Sequence, residues 1–448
     1  MRIIAFLIGI CFFTNACFAE EVSIKDEITQ LRARLEVLEQ KLAIQEKSMG
    51  EQKQCILDQN KKISDYESKL SQFDTKLHRE AGKPIPLVEG LDISAGATMI
   101  VQGTNNVNSA SDAAALKDSR ADGSYSTDIT IAKEFEEISG RAFLHLENGQ
   151  GEGLEDNLTL YSNVNRDADD DVNVRVTEAW YEQGFFNNKA AITFGKLDPT
   201  VYFDNNEVAN DETTQFLGRM FRNAATIDFP DNTAGIRLAY MPKEWIEFNY
   251  GVFDGNNDWE KITDNLVNMG QVTFKTNFFN LPGNYRFYGW NNNTYYTKWL
   301  DETKNKENAY GFGLSFDQKA NDIVTLFTRY GWQNPEVYNP NITATGDLSY
   351  SLEQSWSAGF QVEGKPWGRE NDVAAFAIGQ IFPSDNYKEA TGRLGKSEGH
   401  LEAYYKIFVN KHLSLSPDFQ YIWNPFGKDI PDDTNGVFVG GMRTQVDF

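Results

Sequence analysis

Cysteine is scarce in this 448-residue chain, with three copies, and histidine has only four. Cys11 and Cys17 fall within the first nineteen residues, which leaves Cys55 alone. That excludes a disulfide framework, a CxxC pair and any Cys/His spacing for a metal. Long apolar runs are missing too. After residue 20 no stretch reaches the ~20 consecutive apolar residues of a spanning helix, so a helical membrane protein is excluded. Positive charge is also short: 42 Lys and Arg against 65 Asp and Glu leave a net charge of −23. Nucleic acid is therefore not an expected partner, because phosphate contacts need clustered Lys and Arg. Acidic loops do suit a cell surface.

Aromatic residues are plentiful at 13%, while the mean hydropathy is only −0.51. A barrel that crosses the outer membrane combines these properties, because only alternate strand residues meet lipid.

The chain opens with Met1 and Arg2, a nearly continuous apolar run over residues 3–13, and the small-residue stretch Ala16-Cys17-Phe18-Ala19. This is the layout of a secretory signal peptide over residues 1–19, with cleavage expected after Ala19. Residues 24–77 then keep a 3-4 spacing. The a positions are Ile28, Leu35, Leu42, Met49, Ile56, Ile63, Leu70 and Leu77. The d positions are Ile24, Leu31, Leu38, Gln45, Gln52, Gln59, Tyr66 and Phe73. A seam this long predicts a coiled coil over residues 20–80. The other reading is one amphipathic helix lying on another surface. Three glutamine layers at d weaken the seam and set its register. The mixed Ile and Leu seam leaves two or three strands open. Gly82, Pro84 and Pro86 break the pattern, so residues 81–87 read as a linker.

From residue 88 the period changes from seven to two. Phe312, Leu314 and Phe316 share one face, opposed by Gly311, Gly313, Ser315 and Asp317. After a short turn, Val324, Leu326, Thr328 and Tyr330 share a face opposed by Thr325 and Arg329. The alternation returns over residues 236–252, 356–363 and 401–421. It closes on Phe438, Gly440, Met442, Thr444, Val446 and Phe448, an alternating strand with an aromatic last residue that resembles the assembly signal of outer-membrane barrels. An apolar face repeatedly opposed by Gly, Ser, Gln and charge predicts lipid outside and a wet lumen inside. Tyr240, Trp245, Tyr330, Trp332, Trp356, Trp367, Tyr421 and Trp423, near strand ends, suit interfacial girdles. The expected fold is an all-β transmembrane barrel over residues 88–448, with about 16 antiparallel strands.

Two blocks carry a family resemblance. Residues 194–217 open with Phe194-Gly195-Lys196-Leu197-Asp198-Pro199 and close with Gln215-Phe216-Leu217. Residues 402–406 and 413–421, followed by Asn424-Pro425, form the second block. Both resemble the carbohydrate-selective porin family, the OprB type, and the opening strand with Val101-Gln102-Gly103-Thr104 also fits. The resemblance implies a 16-stranded barrel that passes sugars by facilitated diffusion, without catalysis or cofactor. The coiled coil departs from the simplest members of that family. With the trimeric habit of porins it favours a homotrimer.

Residues 198–230 form a long segment without clean alternation after a strand, the pattern of a loop folded into the lumen. Asp204, Glu207, Asp211, Arg219 and Arg222 on it are the pore candidates. Glu402, Lys406, Asp418 and Arg443 join them, because alternation turns them toward the lumen. Carboxylates and guanidinia together could pinch the pore and orient hydroxyls. The simpler reading is that they hold the loop to itself and to the wall. His145 shares its face with Arg141, read as lumenal, which argues against a Ser/His enzyme on the outer wall. The run Asp167, Asp169, Asp170, Asp171 lacks the glycine and distal Glu of a calcium loop, so no metal is expected.

The expected partners are small hydrophilic solutes, chiefly sugars, together with outer-membrane lipid. A general or cation-preferring porin, and a structural tether acting through the coiled coil, are the competing functions.

Overall fold

The computed structural model describes residues 89–109, 118–278, 280–344, 348–430 and 436–448. The expected signal peptide, coiled coil and linker lie outside the described residues.

Alternating residues build long antiparallel strands in chain order: β1 (Leu91–Thr104), β2 (Arg120–Phe135), β3 (Gly140–Gln150), β4 (Arg175–Phe185) and β5 (Ala190–Leu197). Next come β6 (Thr233–Lys243), β7 (Ile246–Asp254), β8 (Leu266–Phe278), β9 (Leu281–Lys298), β10 (Glu307–Lys319) and β11 (Val324–Gln333). Three two-residue pieces follow: β12 (Val337–Tyr338), which pairs with the end of β9, and the small hairpin β13 (Thr343–Ala344) and β14 (Leu348–Ser349). The last strands are β15 (Leu352–Glu363), β16 (Val373–Pro383), β17 (Glu398–Asn410), β18 (Leu413–Trp423) and β19 (Val437–Asp447).

Each long strand pairs with its neighbours, and β1 also pairs with β19, from Gly96 opposite Asp447 to Thr104 opposite Val439. Sixteen long strands therefore form a closed ring with no free edge, as expected from the alternation. Connections at one end are short, such as residues 136–139, 186–189 and 411–412. Those at the other end are long, such as 151–174, 198–232 and 334–351. Outer-membrane barrels divide their turns and loops in this way, with the short turns on the periplasmic side.

The alternation sorts side chains as expected on the outer face. Phe312 is 53% exposed and Leu326 46%, whereas the inward Arg329 is 1% exposed. In an isolated globule such an apolar belt would meet water, and here it forms the lipid-facing surface.

The inner face is less wet than alternation implies. Gly311 and Gly313 of β10 stand opposite Trp290 and Tyr288 of β9, whose rings lie over them; a Cβ at either glycine would collide with the ring. Loops descend onto these inner surfaces. Phe216, Met220 and Phe221 of the 198–232 loop pack with Phe327, Ala377, Ile381 and Tyr404 of the wall. Leu197, Phe203 and Ile227 pack with Phe253, Met269, Tyr288 and Trp290. Leu158, Leu160 and Val164 of the 151–174 loop pack with Ile422, Val437 and Val439. Each fully buried ring, such as that of Phe221, stabilises this arrangement by roughly 1.5–3 kcal/mol. Period-two patterning reports which way a strand residue points, but not what covers it.

Candidate functional site

The 198–232 loop leaves β5 through a short helix, α1 (Pro199–Tyr202). Proline at the first helical position fits there, and Asp198 caps the helix by accepting the Thr200 N–H at 2.8 Å. A second short helix, α2 (Arg219–Arg222), follows a bend at Gly218.

Between these helices the loop is fastened to opposite walls. On one side the Asp204 N–H donates to Gln271 of β8 at 2.9 Å. Asn206 Nδ2 donates to Ser315 Oγ and to the Phe316 carbonyl of β10, each at 3.1 Å. On the other side Glu402 of β17 accepts the Leu217 N–H at 2.6 Å and the Gly218 N–H at 2.8 Å. Arg443 of β19 donates to the carbonyls of Glu212 and Gln215, both at 2.7 Å. β8 and β19 stand eight places apart in the ring of sixteen long strands, so the loop crosses the lumen close to a diameter.

The shorter 151–174 loop joins it from the side. Tyr161 and Ser162 donate backbone N–H groups to Glu398 of β17 at about 3 Å. The Val164 carbonyl accepts from Gln102 at 3.0 Å and from Gln420 at 2.9 Å. The Arg166 N–H donates to the Leu217 carbonyl at 2.9 Å, tying one loop to the other.

This tie sets three guanidinium groups within one another's electrostatic reach: Arg166, Arg219 and Arg222. Enclosure in the lumen, and after it the charges of Arg219 and Arg222, hold Arg166 below its ordinary value. Arg222 is paired with Glu212 and lies 3.9 Å from Asp198. Arg219 is exposed and has no ion-pair partner within 4.0 Å among the described residues. Asp167, next to Arg166 in the chain, accepts from the Ser126 hydroxyl at 3.0 Å and is held well above its ordinary range by burial and next by the Glu212 charge. His145 of β3 points inward with Arg141, and its Nε2 lies 2.7 Å from Asp128.

The remaining sequence candidates take other positions. Asp204 is fully buried beneath the loop, 3.3 Å from Arg329 Nε, and accepts the Ala224 N–H at 2.7 Å. Glu207 has an exposed side chain, and its N–H donates to Asp317 at 3.2 Å. Asp211 accepts from the N–H of Thr213 at 2.9 Å and from its hydroxyl at 2.6 Å, folding the loop on itself. Lys406 is half-buried on the inner face, and Asp418, also inward, is buried and accepts from Gln420 at 2.8 Å. Arg219 and Arg222 thus stand at the cluster, while Asp204, Glu402 and Arg443 fasten the loop.

Arg166, Glu212 and Glu398 were not singled out by sequence, and Arg329 was placed on the inward face but not among the pore candidates. Alternation within β11 and β17 turns Arg329 and Glu398 inward and marks them; Arg166 and Glu212 sit in aperiodic loops that give no such signal.

The profile of the carbohydrate-selective porin, OprB family, matches residues 135–448. Among solved structures, the high-pH structure of Pseudomonas putida OprB aligns with a TM-score of 0.65 at 16% identity, covering 80% of this chain and 94% of that one. The low-pH structure of the same protein aligns with a TM-score of 0.52 at 15% identity, covering 83% and 96%. These likenesses carry the fold. An uncharacterized protein of Aquifex aeolicus is 23% identical over 260 residues, 58% of this chain. The matched stretch spans 65% of that relative's length and 19% of an uncharacterized Synechocystis relative.

Proposed function

Because this chain belongs to the carbohydrate-selective porin, OprB family, we propose that it is a non-enzymatic outer-membrane channel for the facilitated diffusion of sugars and similar small hydrophilic solutes. The observation that carries this reading is a loop fastened across a closed lumen, which presents Arg166, Arg219 and Arg222 against the carboxylates of Asp198 and Glu212.

A neutral sugar loses hydration on entering a narrow lumen. Guanidinia supply fixed donors and carboxylates fixed acceptors, so its hydroxyls exchange water for protein groups with little reorganisation. The binding stays weak because these groups also satisfy one another, and a channel needs that weakness for release. Opposed charges give no net preference for an ionised solute.

Asp204, Glu402 and Arg443 act as anchors that keep the loop in place, with Asp418 beside Glu402 on the wall and Arg219 and Arg222 as the groups that solutes meet. Glu207, Asp211 and Lys406 line the approaches.

The N-terminal segment fits export by a cleaved leader and a periplasmic coiled coil that assembles the chain, as a trimer by preference. An added role for that coil as an envelope tether is compatible with conduction. The net charge of −23 favours a general or cation-preferring porin as the second reading.

Swelling of liposomes containing the purified protein tests the proposal. Neutral mono- and disaccharides should enter faster than amino acids of similar size. Equal rates would favour the general porin, and no swelling with any solute would remove the channel.

A further inference from the structure

Above the crossing loop, at the long-loop end, lies a cavity of about 380 Å3. Its walls come from the far end of the 198–232 loop, the upper part of β9 and residues 334–342. It is separate from the loop's anchoring points but shares Arg219 with the cluster below.

Asp228 is the centre of its polar wall. The Tyr296 hydroxyl donates to Asp228, Asn292 Nδ2 lies 3.5 Å from the same carboxylate oxygen and 3.1 Å from the Tyr296 hydroxyl, and Asn339 bonds it from the loop. Burial raises the Asp228 carboxyl to about 6, with the Arg219 charge acting the other way, so it is ionised at neutral pH. The exposed Arg219 guanidinium supplies donors to the same space. On the other wall Tyr161 and Tyr350 sit with ring centroids 5.1 Å apart.

A buried carboxylate, an exposed guanidinium, planar amides and tyrosine rings form a set suited to a polyhydroxylated ring. Vicinal hydroxyls bridge the carboxylate and the amides, while the rings cover C–H faces. Asp228 and Asp231 on one wall disfavour an anion, although Arg219 alone would attract one. The volume is near the lower end of ligand pockets, roughly 300–1,000 Å3, which leaves room for a short neutral glycan.

We propose that this cavity is a capture subsite for neutral mono- and disaccharides at the outer mouth, formed by Asp228, Asn292, Asn339 and Arg219, which loads the constriction below. The inference rests on the sugar-channel reading above and adds a second binding position to it.

The test is single-channel recording of the full-length protein in a planar bilayer, with maltose added on the long-loop side. Wild type should show concentration-dependent interruptions of the KCl current. Asp228→Asn and Asn339→Ala should each raise the half-blocking concentration roughly tenfold, as expected for loss of a hydrogen bond involving a charge. Asn339 lies on a surface loop, so its variant carries the test even if Asp228→Asn fails to assemble. Half-blocking concentrations equal to wild type in the variants would overturn the subsite. A wild-type channel that passes sugar in swelling assays but shows no maltose interruptions would also overturn it, with the channel reading intact. A wild-type protein that neither passes sugar nor is interrupted by it would instead overturn the reading beneath.

Discussion

Asp204 and Arg329 form an ion pair at 3.3 Å with side chains 0% and 1% exposed, joining the middle of the crossing loop to β11. Arg329 Nη2 also donates to the Asp204 carbonyl at 2.9 Å, and Nη1 donates to the Phe221 carbonyl. One guanidinium therefore holds two distant points of the loop against the wall.

Arg329→Met should leave Asp204 buried without its partner, at a cost of roughly 3–5 kcal/mol. The sixteen-strand ring does not depend on this pair, so heat-modifiable gel mobility and the β signal in circular dichroism should persist. Single-channel conductance should become larger and more variable as the loop loosens. Adding Asp204→Asn should restore part of the stability, because the orphaned charge is removed.

Glu402→Gln retains one acceptor oxygen where two backbone N–H groups, from Leu217 and Gly218, now find two. Leaving one of these buried N–H groups without an acceptor costs roughly 1–3 kcal/mol. Open-channel current noise should rise while mean conductance changes less than in Arg329→Met. Noise indistinguishable from wild type would show that Glu402 does not hold the loop.

Replacing Arg166 and Arg219 together by alanine should shift selectivity toward cations. A unit charge at contact distance in water is worth about 1 kcal/mol, a factor of about five in relative permeability. The reversal potential across a KCl gradient measures this directly. An unchanged potential would place both arginines away from the ion path.

At the short-turn end, Asp372 is held at about 2, first by its hydrogen bond to Arg369 and further by the Tyr405 hydroxyl at 2.6 Å and the Phe408 N–H at 2.9 Å. A folded-state value below the ordinary ~3.9 means the contribution is complete above about pH 4 and is lost as pH falls through 2. Wild type should therefore lose more stability than Asp372→Asn between pH 6 and pH 3, read from urea midpoints in detergent. Parallel loss in both proteins would contradict the assignment.

Much of the barrel was legible because alternation is a local property. Phe312, Leu326 and Met442 point outward for the same reason that Ser315, Arg329 and Arg443 point inward. The infolded loop was legible from its length and its lack of period. Its anchoring was not. Glu402 and Gly218 are far apart in sequence, and nothing local signals that they meet. Nothing local marks Tyr288 and Trp290 as covering rings; that role comes from Gly313 and Gly311, which stand opposite them. The same limit applies to Asp204, whose charge suggested a pore group until Arg329 and a buried setting made it an anchor.

The most direct test of the whole account is the K+ current through single channels while neutral sugar is titrated. A solute-binding lumen crossed by the 198–232 loop predicts a saturable, reversible fall in current, beyond what added viscosity causes, that weakens when Arg166 and Arg219 are replaced. A current that falls only with viscosity, identically in wild type and variant, would contradict it.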